Sequence, residues 1–386
     1  MALKAPAIML LLACRLIAVS SLCDDRVKQI FGYLKGASDA QLFRWFFESR
    51  EKPLTSPILI YFQGGPGASS MISAVSGNGG PCILNTKGDD TSVNKYSYNT
   101  FANVMYIDQP APVGFSKGTT PEGDVETAKS TLHALEAFFS KYRSYNTRVI
   151  LIGQSYAGHF IPALAQLAVK RKSSINLKGL ILGNGWVNPE PLIRSMPIMA
   201  YKSNTAPIVI TEKEFDTLTE CIPGLLGNIS DCVSQKLKEV CEGARKLFRE
   251  QMLDRIRDKD IDQFDLRRRC TEPKPACRYI ENFKTYFDSP KVQGYLKVDK
   301  TWLYANNSVI DHFAYDYMVD YSPALGSLLD AGLRLPDGRE VGKLRRFASE
   351  RTGGQLSFAQ IYKGSHSAAK DAPDAVLKLV MDVVAN

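Results

Sequence analysis

Residues 148–160 read RVILIGQSYAGHF. An apolar run enters Gly153, Gln154, Ser155, Tyr156 and Ala157, and a helix-forming stretch follows. This is the pattern of a nucleophile elbow, a strand-to-helix turn that lifts a serine hydroxyl to the end of a sheet. The turn sets the next backbone N–H and the helix N-terminus beside developing negative charge. A bare Gly-x-Ser-x-small match fits a structural turn equally well; the strand before it and the helix after it favour the nucleophile. A second loop, Gln63-Gly64-Gly65-Pro66-Gly67, follows the apolar run ILIYF. Its glycines let a backbone amide face a ligand, so that it can complete an oxyanion hole with the Tyr156 N–H. One such donor is typically worth about 3 kcal/mol of barrier; the plainer alternative is a Gly-rich tight turn. Of the four histidines, His133 and His159 fall within helical stretches and His312 lies among aromatic residues. His366 follows a late strand and a glycine, where a base can meet the serine.

These residues need a scaffold. Short runs rich in Ile, Val and Leu recur at 57–62, 103–108, 148–153, 177–184 and 358–363, and each reads as a buried strand. Between the second and third, Ala128, Leu132, Leu135 and Phe139 recur at helical spacing, and FIPALAQLAVKRK after the third is helical too. Strand alternating with helix predicts a mostly parallel sheet covered on both faces. From about 191 to 290 the chain turns to charged helical stretches with clustered cysteines, which predicts a cap subdomain inserted into one sheet domain.

The 386 residues, 45% apolar and 23% charged, suffice for one large globular domain or two ordinary ones. The net charge of +8 is dispersed apart from LRRRC at 266–270, with no interleaved aromatics, so it reads as a solvated face rather than a nucleic-acid surface. The first 23 residues carry Lys4, a short apolar stretch and small residues from Ala18 to Ser21, the plan of a cleaved secretory leader rather than a membrane anchor. With Cys14 and Cys23 assigned to the leader, six of the eight cysteines remain. In an oxidising compartment they predict disulfides rather than a metal site, since histidine ligands are missing nearby. Sequons at Asn228 and Asn306 fit the same route, although such short motifs also arise by chance.

The motifs KQIFGYL, LFRWFFESR, YFQGGPGASS, YIDQPAPVGFS, GQSYAGHFIPALA, LKGLILGNGWVNP, VQGYLKV and YKGSHSAAKDAP stand here in one order. Together they resemble the serine carboxypeptidase family of the α/β-hydrolase fold, whose members are secreted, vacuolar or lysosomal. The resemblance implies Ser155 as nucleophile, His366 as general base, the Gly65 and Tyr156 N–H groups as oxyanion hole, no cofactor, and peptide or protein C-termini as substrates. It also implies a carboxylate-binding group at Gln63, Gly64, Asn78 and Gln154. Family members carry an Asn at the first of these places and Glu at the last two, so two acids have become amides. Where the family often has Cys, Ala68 stands. The resemblance further predicts an apolar strand ending in the Asp that orients the histidine, yet LLDAGLRLPDGREVG at 328–342 turns at Pro336-Asp337-Gly338 instead. Three functions fit: a carboxypeptidase impaired by the missing acid, an inactive binding protein, and an acyltransferase on the same scaffold.

Overall fold

The computed structural model describes residues 22–257, 259–270, 280–330, 342–348 and 354–385. The stretch Ala331–Val341, with Asp337, lies outside the described residues.

Six strands form the central sheet: β1 (Gln29–Lys35), β2 (Gln41–Phe47), β3 (Ile58–Phe62), β6 (Asn103–Ile107), β7 (Val149–Gln154) and β8 (Leu177–Gly183). The intervening β4 (Cys82–Leu84) and β5 (Thr91–Val93) make a small separate hairpin. The spatial order is β1-β2-β6-β3-β7-β8, with β1, β2 and β6 successively antiparallel and β6, β3, β7 and β8 parallel. β3, β6 and β7 are buried along their whole length. Their side chains alternate between two cores, as a period of two requires. Ile58, Ile60, Met105, Val149 and Leu151 join one cluster; Leu59, Tyr61, Val104, Ile150 and Ile152 join the other.

Helix α2 (Asp124–Lys141) and helix α3 (Ala157–Lys170) cover the first face. The expected stripe Ala128, Leu132, Leu135 and Phe139 is buried there, and Asp124 and Glu126 in the first turn complement the helix dipole. Across the sheet lie α1 (Met71–Val75), Trp302 and the C-terminal helix Pro373–Ala385. Beyond β8 come α4 (Pro189–Tyr201), α5 (Glu212–Gln235) and α6 (Lys238–Phe248), then the ribbon β9 (Ile261–Asp262) and β10 (Asp265–Arg269). The helices close around Ile193, Leu218, Ile222, Leu225 and Phe248. A Thr211–Glu214 capping box starts α5, and Cys232–Cys241 joins its end to α6.

Three expectations need correction. FAQIYK is not a buried strand: β12 (Gln355–Ile361) is half-buried to exposed, with Phe358 62% exposed, and its described pairing is antiparallel to β11 (Gly342–Ala348). β11 falls where no strand is legible, because Lys343, Arg345 and Arg346 interrupt any apolar run. An antiparallel ribbon strand does not need the continuous apolar sequence that a central parallel strand does. Cys23 does not leave with a leader, for it is bonded to Cys82.

Candidate active site

Ser155 lies between β7 and α3 with φ +61, a left-handed conformation that a non-glycine residue adopts only under constraint. The constraint is visible. The Ser155 N–H donates to Gly183 O (3.0 Å), and its carbonyl accepts from Gly158 N (2.9 Å) and Trp186 N (2.8 Å). No side chain fits at Gly158, where a Cβ would stand 2.8 Å from Trp186 backbone atoms. The next residue, Tyr156, is anchored by its ring against His159, Phe160 and Tyr317, so its amide is held at the head of α3.

The loop after β3 sits directly on this turn, because β3 and β7 are neighbours in the sheet. A Cβ on Gly64 would lie 2.5 Å from Tyr156 N and 2.7 Å from Ser155 Cβ. Gly65 has φ +118 and Gly67 φ +92, conformations closed to most L side chains. Glycine therefore allows the backbone of this loop to reach the serine. Sheet order explains the location: the chain leaves β3 toward β6 and returns across it to β7, so the ends of β3 and β7 face the crevice where such sheets bind ligands.

Asp108, at the end of β6, fixes the far side of the loop. It accepts from Ser69 Oγ (2.6 Å), Ser70 N (2.8 Å) and Phe115 N (3.0 Å). Burial pushes its carboxyl up to about 6, against those donors and the charge of Lys300. The Lys300 ammonium meets the carbonyls of Pro112, Gly114 and Ser116 at 2.6–2.9 Å. Asp108 was not among the residues singled out from the sequence; an acid closing the apolar run VMYI was the available signal.

Around the serine the three amides form one polar group. Asn78 Nδ2 donates to Gln154 Oε1 (2.7 Å), and the Tyr61 hydroxyl stands 3.4 Å from both Gln154 Oε1 and Gln63 Oε1. Ser73 Oγ also reaches Gln63 Oε1, at 3.2 Å. Burial pushes the Tyr61 phenol up to about 12, so it stays protonated. His366 joins the same group. Its Nδ1 lies 2.5 Å from Gln154 Nε2, its carbonyl accepts from the same nitrogen at 2.6 Å, and its ring packs on Phe264 from the β9–β10 ribbon. Ser155, Gly64, Gln154, Asn78, Gln63 and His366 are thus gathered at one end of the sheet. His133 is exposed on α2, His159 is fully buried in α3, and His312 Nδ1 lies against Ser308 O (2.7 Å).

Behind Tyr156 is a second polar group that the sequence did not reveal. The Tyr156 hydroxyl lies 3.3 Å and His159 Nδ1 3.4 Å from Asp124 Oδ2, and Asp124 N donates to Asp316 Oδ2 (3.1 Å). Burial pushes both acids up to about 7 and His159 down to about 3. At neutral pH the Asp124–His159 contact therefore tends toward a contact between uncharged groups rather than an ion pair.

A family model described as serine carboxypeptidase matches residues 23–336. The chain is 31% identical over 335 residues to Carboxypeptidase Y of Schizosaccharomyces pombe, spanning 81% of this chain but 33% of that protein. It therefore spans about a third of that relative's length. Carboxypeptidase Y homolog A of Paracoccidioides brasiliensis is 27% identical over 404 residues, covering 93% of this chain and 73% of the relative. Among solved structures, Kex1(delta)p, a prohormone-processing carboxypeptidase from Saccharomyces cerevisiae, superposes with a TM-score of 0.75 at 21% identity, covering 95% of this chain and 93% of that one. That likeness gives the fold, a mostly parallel sheet with helices on both faces. No helix among the described residues is long and apolar enough to cross a membrane.

Proposed function

Since the chain belongs to the serine carboxypeptidase family, we propose that it acts on peptide or protein C-termini through an acyl-enzyme on Ser155. The observation that carries this is the left-handed Ser155 at the head of α3, with the Gly64 backbone packed against the Tyr156 amide. In the reaction, Ser155 Oγ bonds to the carbonyl carbon of the C-terminal peptide bond as its proton passes to His366 Nε2, a transfer that requires the imidazole to carry its own proton on Nδ1. The oxyanion is held by the Gly65 and Tyr156 N–H groups. Collapse breaks the C–N bond and delivers the proton to the leaving amine; water then repeats the sequence and frees Ser155. The released residue's carboxylate is received by the amides of Asn78 and Gln63, the Gln154 NH2 being turned to His366. Residues 1–21 are proposed as a secretory leader cut before Cys23, because Cys23 belongs to the folded protein. A secreted, vacuolar or lysosomal location follows from that route.

A fluorophosphonate probe tests the nucleophile: one adduct on Ser155 is expected, absent from Ser155→Ala at unchanged thermal stability. No adduct on the folded wild-type chain after prolonged exposure overturns the assignment. A second reading, a binding protein with little turnover, is favoured by one specific observation, the amide rather than carboxylate at His366 Nδ1.

A further inference from the structure

Gln154 connects the serine's own strand to the histidine, and which atom it presents decides what the histidine can do. Its Nε2 lies 2.6 Å from the His366 carbonyl oxygen, which can only accept a hydrogen bond, so the group facing His366 is the amide NH2. The opposite end agrees: Oε1 accepts from Asn78 Nδ2 at 2.7 Å and faces the Tyr61 hydroxyl. Reversing the amide would set two acceptors 2.6 Å apart. The second hydrogen of this NH2 is aimed at His366 Nδ1, 2.5 Å away. An Nδ1 that accepts carries no proton, and a neutral imidazole then holds its single proton on Nε2. General-base catalysis requires the reverse, a proton fixed on Nδ1 and a lone pair on Nε2 to receive the Ser155 proton.

We propose that Gln154 is a positioning residue that holds His366 in the Nε2–H tautomer and so withholds the base from Ser155. The inference rests on the assignment of Ser155 and His366 as nucleophile and base. A carboxylate here would have to turn off the His366 carbonyl oxygen, which it would otherwise meet at 2.6 Å, and would then act oppositely, since it accepts from Nδ1–H and leaves Nε2 unprotonated. Ser155 Oγ could then bond to phosphorus in a fluorophosphonate as the P–F bond breaks, its proton leaving through Nε2 to the departing fluoride.

The experiment pairs 15N NMR of histidine-labelled protein with the rate of fluorophosphonate labelling. The His366 signal is assigned by its loss in His366→Gln. In the wild-type chain at pH 7.5, Nε2 is expected to be protonated and Nδ1 bare. Gln154→Glu is expected to move the proton to Nδ1 and to speed labelling at least about 10²-fold, against the about 10⁴ that a wrong tautomer costs a serine triad. Gln154→Ala, which removes the donor without adding an acceptor, gives a mixture of tautomers and a smaller rise. A wild-type His366 protonated on Nδ1 overturns the inference even if both variants misfold. So does a Gln154→Glu protein that exchanges tautomer and labels no faster than a wild type that does label. Absence of adduct from every folded protein instead removes the nucleophile, and the NMR result then stands apart from it.

Discussion

Three amides occupy the places where the family resemblance implies an amide and two acids, and the difference is one of pH. A pair of carboxyl groups can donate to a substrate carboxylate only while one is protonated, whereas the N–H groups of Asn78 and Gln63 persist at every pH. In a Ser155→Ala background, the Kd of a peptide with a free C-terminus is therefore expected to change less than about threefold between pH 5.5 and 8. Asn78→Glu should make that binding weaken steeply above pH 5.5; a wild-type protein that already does so would show that other groups read the carboxylate. Loss of a hydrogen bond to a charged group costs about 1.5–3 kcal/mol, so Asn78→Ala should weaken binding by at least about tenfold. Ser155 and the Gly64–Gly65 loop were legible in sequence because backbone geometry restricts which residues make such turns. The Gln154–His366 contact was not, because it joins positions 212 residues apart through loop placement that no local pattern encodes.

At the scale of elements, the proposed active site is the junction of two loops carried by neighbouring strands. Placing a methyl at Gly64 would drive it into Tyr156 N, at 2.5 Å, so the loop must retreat or the oxyanion position must close. Gly64→Ala is expected to lower Ser155 labelling by about 10² while circular dichroism stays native, the loss typical of a missing oxyanion donor. An unchanged rate would mean that this loop does not serve the oxyanion. Asp108 holds the same loop from β6, and Asp108→Ala would strand the Ser70 and Phe115 N–H groups in a buried site. Each such orphan costs about 1–3 kcal/mol, so urea denaturation should report a loss of at least about 2 kcal/mol. The parallel strands were legible because burial on both faces demands continuous apolar runs. By contrast, β1, β2 and β11 were not in the strand set read from those runs, which Arg44 interrupts in β2 and Lys343, Arg345 and Arg346 interrupt in β11, while β12 was read as buried where it is half-buried to exposed.

For the whole molecule, stability should bend with pH according to which buried acids gain and which lose by folding. Asp24 is the ordinary case: burial alone would raise its carboxyl, but hydrogen bonds from Arg26, Asn99 and Arg50 together lower it, so its contribution is lost as the medium becomes strongly acidic. Asp124 and Asp316 run the other way. Burial pushes both up to about 7, the charge of Asp124 adding to the rise at Asp316, beside the neutral His159 and the Tyr156 and Tyr321 hydroxyls. Unfolding returns a carboxyl to about 3.9, so between about pH 4 and 7 the folded chain binds more protons than the unfolded one. The contribution of this pair is then complete below about pH 4 and is lost as pH rises through about 7. Each proton so held gives a slope of about 1.4 kcal/mol per pH unit, downward with rising pH. Thermal unfolding of the wild-type chain is therefore expected to show its highest Tm on the acid side of neutrality and a decline from pH 5 to 7.5. Asp124→Asn, neutral at every pH, should flatten that decline without changing the acid limb that Asp24 governs. A wild-type Tm that rises steadily from pH 5 to 7.5 would mean that the two acids are ionised in the fold, and the charges would then need partners that the Asp124 site, lined by Tyr156, Tyr321 and a neutral His159, does not provide.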